Sequence, residues 1–377
     1  MSRPADSDVI VIGAGVMGLS LAWSLVKRGR RVLCIDRSVP GREASAATAG
    51  TLAVQNKPLV SIPMTLMSLE LWRGLAVELG RSVEYEVRGG LRVAHSAEDY
   101  EKLRRSVAEQ LAAGAPIELL GRSEVRAIAP YLSPDVCAAS FCPIDGMADP
   151  FLVVRALFRA CRAAGVVFHF NRAVSRIRVE PDTTVRIEAG ANVFAAGAAV
   201  IAAGAWIPAL VGGLPITTRV QQVLITDAGA EVSLPHVVTH VRGNLTLKQQ
   251  ALTRKVLIGG GWTGTGDERR GERRLSRDSL RGNASAAIAT VPSLGSARLL
   301  RAWTGFEGRT PDKLPVIGPL AGRPNLHVLG CASGGLTLAP IAGELLARRL
   351  CGERDLLPLE PFSPARFETQ QAAITSP

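Results

Sequence analysis

The chain is poor in the residues that most metal, redox and nucleic-acid chemistries require. Its six cysteines, at positions 34, 137, 142, 161, 331 and 351, form no C-x-x-C pair and no Cys/His grouping of zinc type. They read as small buried hydrophobes. Cys137 and Cys142 lie close enough in sequence to suggest a redox pair, but in a reducing compartment structural thiols are the expectation. His236 and His240 are four apart, as two ligands on one helix would be, yet Pro235 and the β-branched residues between them suit a strand, so no metal is expected. Aromatic residues make up 5% of the chain, too few for a base-stacking platform. No apolar run is long enough to span a bilayer. Seven residues precede the first strand and lack the apolar core of a secretory signal, so a cytoplasmic location is expected.

What is present describes a globular protein. The 377 residues are 47% hydrophobic and 20% charged, enough for two domains with a large core. The net charge of +11 would suit nucleic acid, an anionic surface or simply an arginine-rich composition. The densest charged stretch, GDERRGERRLSRDSLRG at residues 266–282, interleaves acids with bases. That pattern reads as a solvated helix face, and it argues against a nucleic-acid partner.

The richest segment is residues 8–37, DVIVIGAGVMGLSLAWSLVKRGRRVLCIDR. A short apolar run suits a parallel strand buried on both faces, and Gly13, Gly15 and Gly18 follow at G-x-G-x-x-G spacing. Gly13 permits a tight turn, Gly15 lets backbone approach a pyrophosphate, and Gly18 lets the helix pack closely on the strand. The helix N-terminus then offers unpaired N–H groups to an anion. Asp36, at the tip of the second strand, can accept both ribose hydroxyl hydrogens and would repel a 2′-phosphate. The unit binds a dinucleotide, and the motif alone leaves NAD and FAD both open.

Farther along, residues 41–53 form a loop of small side chains suited to lie against a ligand. Residues 65–80 and 98–113 have helical spacing, and 87–94 reads as a strand. Asp149 is placed to cap a helix with Pro150 in its first turn, running to about residue 164. Strand-like runs follow from 165, the last of them a buried strand ending at Trp206. Residues 215–261 alternate in a way that suits a separate antiparallel sheet, and a charged helix leads on to Pro292. The segment 325–350 is a second strand, glycine turn and helix, whose N-terminus would again present N–H groups.

Five blocks in this order, VIGAGVMGLSLAWSLVKRG with Asp36, REASAATAG, DGMADP, VIAAGAW, and RAWTGFEGRTPDKLPVIGPL with GCASGGLTLAP, cover nearly the whole chain. They resemble the FAD-dependent D-amino-acid oxidase superfamily, in the branch of glycine oxidase, sarcosine oxidase and the β subunits of amino-acid dehydrogenases. The resemblance implies an α/β protein: a Rossmann-type FAD-binding domain, with a discontinuous α+β substrate domain built on an antiparallel sheet. The first would comprise residues 1–85, 150–214 and 300–377, and the second 86–149 and 215–299. By the same resemblance Gly13, Ala14, Gly15 and Gly18 would hold the FAD pyrophosphate, Asp36 the adenosine ribose, and Arg37 would flank the adenine. Arg42, Ser45, Ala46, Thr48, Ala49 and Gly50 match the loop that passes the phosphates towards the ring. Val174 matches the adenine contact, and Ala203, Gly204 and Trp206 match the return strand. Ser333, Gly334, Gly335, Leu336 and Thr337 match the turn beneath the isoalloxazine, where a helix start would stabilise negative charge.

Three departures bear on the substrate. Glu307 stands where glycine-oxidase-like members place a carboxylate-binding arginine, and Thr337 stands where a sarcosine oxidase would use a lysine. Gly305 aligns with the cysteine that anchors flavin covalently in that enzyme, so the FAD is expected to be non-covalent. Arg309 and Lys248 are the candidate cations for a substrate carboxylate, with Arg219 and Gln222 behind them. The implied reaction is oxidation of the C–N bond of a small amine, amino acid or imino acid, by hydride transfer to flavin N5 without a strong base. Electrons would pass on to oxygen, a quinone or a partner protein chain. Two alternatives stand beside it: a flavoprotein acting on a tRNA-bound secondary amine, and an FAD-binding subunit with no substrate pocket of its own.

Overall fold

The structure is a computed structural model that describes residues 7–227, 229, 232–330 and 334–367. Its opening unit follows the apolar pattern. Strand β1 (Ser7–Ile12) turns at Gly13 into helix α1 (Val16–Val26), and β2 (Val32–Ile35) returns parallel to β1 with Val9 opposite Val32 and Ile12 opposite Ile35. Two glycines are required for the turn to close. Gly13 has φ +114°, and a Cβ on it would strike the Ala202 carbonyl, while a Cβ on Gly18 would strike the carbonyl of Gly13. The strand Val167–His169 continues the parallel set beyond β2; on the other side of β1 it is continued by Asn192–Ile201 and Arg323–Gly330.

The first half of Asn192–Ile201 also ends an antiparallel meander with Val174–Val179 and Val185–Ala189. The strand stops at Ile201, earlier than its apolar run suggests, because Gly204, at φ +54°, starts a 3-10 turn through Trp206. The helix Pro150–Ala163 begins as its sequence predicts. Asp149 Oδ1 accepts from the N–H groups of Phe151 and Leu152, both at 2.9 Å. Replacing Asp149 with alanine should lower stability by about 1–2 kcal/mol, read as a shifted denaturant midpoint at unchanged m.

The second sheet has eight strands. Strand β3 (Thr217–Asp227) pairs along its length with β4 (Arg298–Arg309), and the order continues through Val256–Gly259, Thr246–Gln249, Val237–His240, Gly90–Ala94, Ala138–Cys142 and Glu118–Gly121. Every pairing is antiparallel except that of Val237–His240 with Gly90–Ala94, which are distant in sequence and run parallel. β4 begins before residue 300 and belongs to this sheet throughout, with Arg309 opposite Thr217. Leu91, Val93, Leu247 and Ile258 are among the residues of its apolar face, against which Leu294 and Ala287 pack.

Two sequence expectations need correction. The run 87–94 reads as a strand starting from a Gly-Gly turn; the turn is present, with Gly89 at φ +71° where the Arg88 and Gly89 N–H groups donate to the Asp145 carbonyl, but the strand after it begins only at Gly90 and Val87 belongs to a separate short strand. The charged stretch 266–282 is not a continuous helix face either. Its first half is a hairpin, Thr265–Asp267 with Glu272–Arg274, turned at Gly271 (φ +68°), and the helix Arg277–Thr290 begins only after Ser276, whose hydroxyl accepts from the Ser279 N–H. Charges two apart suit a strand as well as a solvated helix, and the glycine decides between them.

Candidate functional site

One cavity of about 590 Å³ runs between the two sheets, and the turn after β1 forms one end. Gly13, Gly15 and Val16 line it beside Asp36 and Arg37 at the tip of β2. The loop contributes Arg42, Ser45, Thr48 and Ala49, the meander contributes Val174, and the turn after Ile201 contributes Ala203, Gly204 and Trp206. Other predicted residues of this group stand behind that wall. The Ala14 N–H donates to Asp36 Oδ2 (2.7 Å), Gly18 packs on Gly13, the Ala46 carbonyl accepts from Trp303 Nε1 (2.8 Å), and the Gly50 N–H donates to Thr48 Oγ1 (3.2 Å).

The electrostatics at this end suit an anion beside a polyol. The first N–H of α1, that of Val16, donates to Ser45 Oγ at 2.9 Å, so a hydroxyl from the loop sits at the helix start. Asp36 accepts from the N–H groups of Ala14 and Ser38, each at 2.7 Å, which fixes its carboxylate at the cavity edge, while burial pushes its pKa up. The Arg37 guanidinium stacks 3.5 Å from the Trp206 ring centroid and pairs with Glu43 at 3.6 Å, closing the rim.

The other end is set by the last helix, α2 (Gly335–Leu350). Gly334, Gly335 and Leu336 line the cavity, Ser333 lies outside the described residues, and Thr337 is buried behind. The Thr337 carbonyl accepts from Ser68 Oγ (2.6 Å) and Trp72 Nε1 (3.0 Å), and its hydroxyl donates to the Thr51 carbonyl (3.2 Å), so Thr337 anchors the helix start. Opposite lies the β3–β4 ribbon. Its two-residue period puts Arg219 and Gln221 on one face with Glu307 and Arg309. Glu307 Oε2 accepts from Gln221 Nε2 (2.9 Å) and Arg309 Nε (2.8 Å), and all three residues line the cavity.

The candidate cations separate. Arg309 lies on the cavity wall, paired with Glu307. Lys248 does not reach it: its side chain is fully buried behind the wall, with Nζ 3.5 Å from the Ala148 carbonyl and against Gly50. Burial pushes its pKa down to about 7. Arg219 turns Nη2 to the Gly260 carbonyl (3.3 Å), and Gln222 lines the cavity with Oε1 accepting from the Ser276 N–H (2.9 Å). Two groups not assigned from sequence also line it, Lys57 and Asp145. Asp145 is 2% exposed, accepts from the Val54 N–H (2.7 Å) and Gln55 Nε2 (3.2 Å), and is pushed up to about 6 by burial. Its signal was present, since it opens the DGMADP block. Lys57 carried none, being one loop lysine before a proline.

His236 Nδ1 meets the Tyr131 hydroxyl (2.9 Å), and among the described residues no cluster could hold a metal ion. Cys34, Cys137, Cys142, Cys161 and Cys351 are free thiols. No helix among the described residues is long and apolar enough to cross a membrane.

Two glycine-lined helix starts on one cavity, with a carboxylate at the tip of β2, define a dinucleotide-binding oxidoreductase. The cradle fits FAD: Gly15 presents bare backbone to the cavity, and a Cβ there would meet only Ser45 Oγ, at 3.3 Å. The chain belongs to the FAD dependent oxidoreductase (DAO) family, whose sequence profile matches residues 8–349, and FAD is its cofactor. An opine oxidase subunit from Rhizobium meliloti is 28% identical over 382 residues, covering 97% of this chain and 99% of that protein. The crystal structure of glycine oxidase from Geobacillus kaustophilus superposes with a TM-score of 0.88 at 28% identity, over 96% of this chain and 98% of that one. That of L-proline dehydrogenase from P. horikoshii gives a TM-score of 0.86 at 26% identity, over 98% and 99%.

Proposed function

We propose that this enzyme oxidises the C–N bond of a small amino or imino acid with non-covalently held FAD. One observation carries the reading: the turn at Gly13 and the turn at Gly334, far apart in sequence, line the same cavity. Gly13, Gly15, Ser45 and Asp36 would hold the pyrophosphate and ribose, and Gly334 to Leu336 the ring end. Bound FAD supplies a two-electron acceptor for the hydrogen on the substrate α-carbon. The chain supplies binding, orientation and charge. The first turn of α2 offers N–H groups and its positive dipole end to developing negative charge. The polar ribbon opposite fixes the substrate's orientation, which accounts for much of the barrier lowering.

No base is set up on the wall by histidine. His240, the one lining histidine among the described residues, has Nδ1 accepting from the Arg242 N–H (3.1 Å), so Nε2 carries its proton and donates to His95 Nδ1 (3.0 Å). Burial pushes its pKa down to about 4. The reading without a histidine base has the substrate amine react in its deprotonated form, its lone pair driving the oxidation. Gly305 supports non-covalent binding, because a Cβ there would lie 2.8 Å from Glu43 backbone, leaving no room for an anchoring side chain. The relatives' names, opine oxidase, glycine oxidase and proline dehydrogenase, point to compounds with an amine one carbon from a carboxylate.

The test is an anaerobic screen of sarcosine, proline, hydroxyproline, opines and D-amino acids against the purified yellow protein. One class should bleach the flavin, and denaturation should release all FAD to the filtrate. Flavin that no amine reduces would overturn the catalytic reading, and flavin retained by the denatured chain would overturn the non-covalent one. Restored colour on admitting oxygen, or only on adding a quinone, identifies the acceptor.

A further inference from the structure

We infer that Glu307 and Arg309 together read the two polar groups of an amino-acid or imino-acid substrate: the glutamate takes its amine and the arginine its carboxylate. This rests on the proposed function and adds the residues that recognise the substrate. Both side chains stand on one face of β4, two residues apart, and line the cavity opposite the start of α2. Only part of each is used within the protein. Arg309 donates through Nε to Glu307 Oε2 at 2.8 Å, and Gln221 Nε2 donates to the same oxygen at 2.9 Å, so the pair is fixed from the neighbouring strand. Glu307 Oε1 accepts from no group among the described residues, and the Nη1 and Nη2 edge of Arg309 donates to none. An acceptor and a two-pronged donor are therefore left side by side on the cavity wall.

That arrangement mirrors a molecule whose amine and carboxylate share one carbon. An N–H of the amine reaches Glu307 Oε1 while the carboxylate lies across the guanidinium edge in two parallel hydrogen bonds. Both polar groups then face the ribbon, and the hydrogen on the α-carbon is left to face the other side of the cavity. The charges of the ribbon ask for the same ligand. Arg219 on β3 stands opposite Glu307, with Nη2 on the Gly260 carbonyl at 3.3 Å and a buried Nε that has no acceptor. Burial and the nearby Arg309 both disfavour its charge, against the attraction of Glu307. Two arginines thus bracket one glutamate, and a substrate carboxylate supplies the missing negative charge. Lys57 and Asp145, also on the wall, attract each other and add no net charge, and Lys248 lies behind it. Specificity follows from the pairing. Arg309 alone would take any carboxylate, whereas the Glu307 charge beside it penalises an acid that brings no N–H to meet it.

The experiment titrates the FAD-loaded protein with three compounds of one shape, following the flavin's visible spectrum. 2-Aminoisobutyrate has no hydrogen on its α-carbon and so occupies the site without being oxidised; pivalate replaces its amine with a methyl group, and tert-butylamine replaces its carboxylate. Wild type should bind 2-aminoisobutyrate at least roughly 10-fold more tightly than either, the scale of one charge-assisted hydrogen bond. Arg309→Met should weaken 2-aminoisobutyrate and pivalate by roughly 10- to 100-fold and leave tert-butylamine no weaker. Glu307→Gln should weaken 2-aminoisobutyrate and tert-butylamine and leave pivalate no weaker, because a like charge is removed. Variants that shift all three compounds together mark the pair as structural and overturn the inference. So does a yellow wild type that binds none of them or all of them equally, while the flavin reading stands. A colourless protein overturns both. Should either variant fail to fold, the wild-type order of the three affinities decides.

Discussion

Gly15→Val should give a folded, colourless protein. Gly15 has φ −73°, an ordinary value for any residue, and an added Cβ would meet only Ser45 Oγ at 3.3 Å, so the turn itself tolerates a side chain. The space that the isopropyl group would fill is the cavity end at the α1 N-terminus, where the Val16 N–H already donates to Ser45 Oγ and the helix dipole faces the cavity. Holding the pyrophosphate away from that helix start forfeits one or two charge-assisted hydrogen bonds at ~1.5–3 kcal/mol each, a loss in FAD affinity of roughly 100-fold or more. The melting temperature without FAD should stay within a few degrees of wild type, and the rise that FAD gives wild type should vanish. Gly13→Ala makes the contrast. Its Cβ would strike the Ala202 carbonyl at φ +114°, so it should unfold at lower denaturant even without FAD. If Gly15→Val stays yellow, the turn is not the phosphate cradle.

The contrast between these glycines shows what was legible in sequence and why. The opening unit could be read because strand, turn and helix are local, and each glycine answers a local steric demand. The second sheet could be read as strands and as antiparallel, but not its one parallel pair, since Val237–His240 and Gly90–Ala94 meet only through the tertiary fold. The hairpin at 265–274 was missed because interleaved charges fit both periods. Its inward anchor, Arg273 on Glu43 at 2.9 Å, joins residues 230 apart. Charge environment was least legible. Lys57 and Lys248 are both followed by residues of unremarkable pattern, yet one faces the cavity and the other is sealed behind it. Burial of a single amine is decided by which loops cover it, and composition carries no trace of that.

Lys248→Met should stabilise the protein near neutral pH and remove most of its pH dependence between pH 7 and 8.5. The Lys248 amine titrates near 7 in the folded chain and near 10.5 in the unfolded one, because burial disfavours its charge. A base with a depressed folded pKa binds more protons when unfolded, so stability rises with pH between those values. The penalty of the buried charge is complete below pH 7 and relieved progressively up to 10.5. Near pH 8 the folded amine is mostly neutral and the unfolded one still charged, a difference approaching one proton, or about 1.4 kcal/mol per pH unit. Lys57 adds a smaller rise that begins near its own value of about 8. Other shifted groups act elsewhere. Asp145, raised to about 6, has nearly finished titrating by pH 7, and the buried histidines His240 and His327, lowered to about 4, add only the tail of their unfolded titration near 6.5, which fades by about pH 8. The buried thiols of Cys34 and Cys142, raised by desolvation, begin to oppose the trend only as unfolded cysteines ionise near pH 9. Methionine has nearly the volume of lysine and fills the same channel beside Gly50, so little packing is lost. Urea denaturation of wild type and Lys248→Met at pH 7, 7.5, 8 and 8.5, each saturated with FAD, should show a steep rise for wild type and a shallow one for the variant. The curves should converge as pH rises. A variant that is less stable with an undiminished slope would mean that Lys248 is held as a compensated ion pair with Asp149 or Glu84, the two carboxylates that attract it.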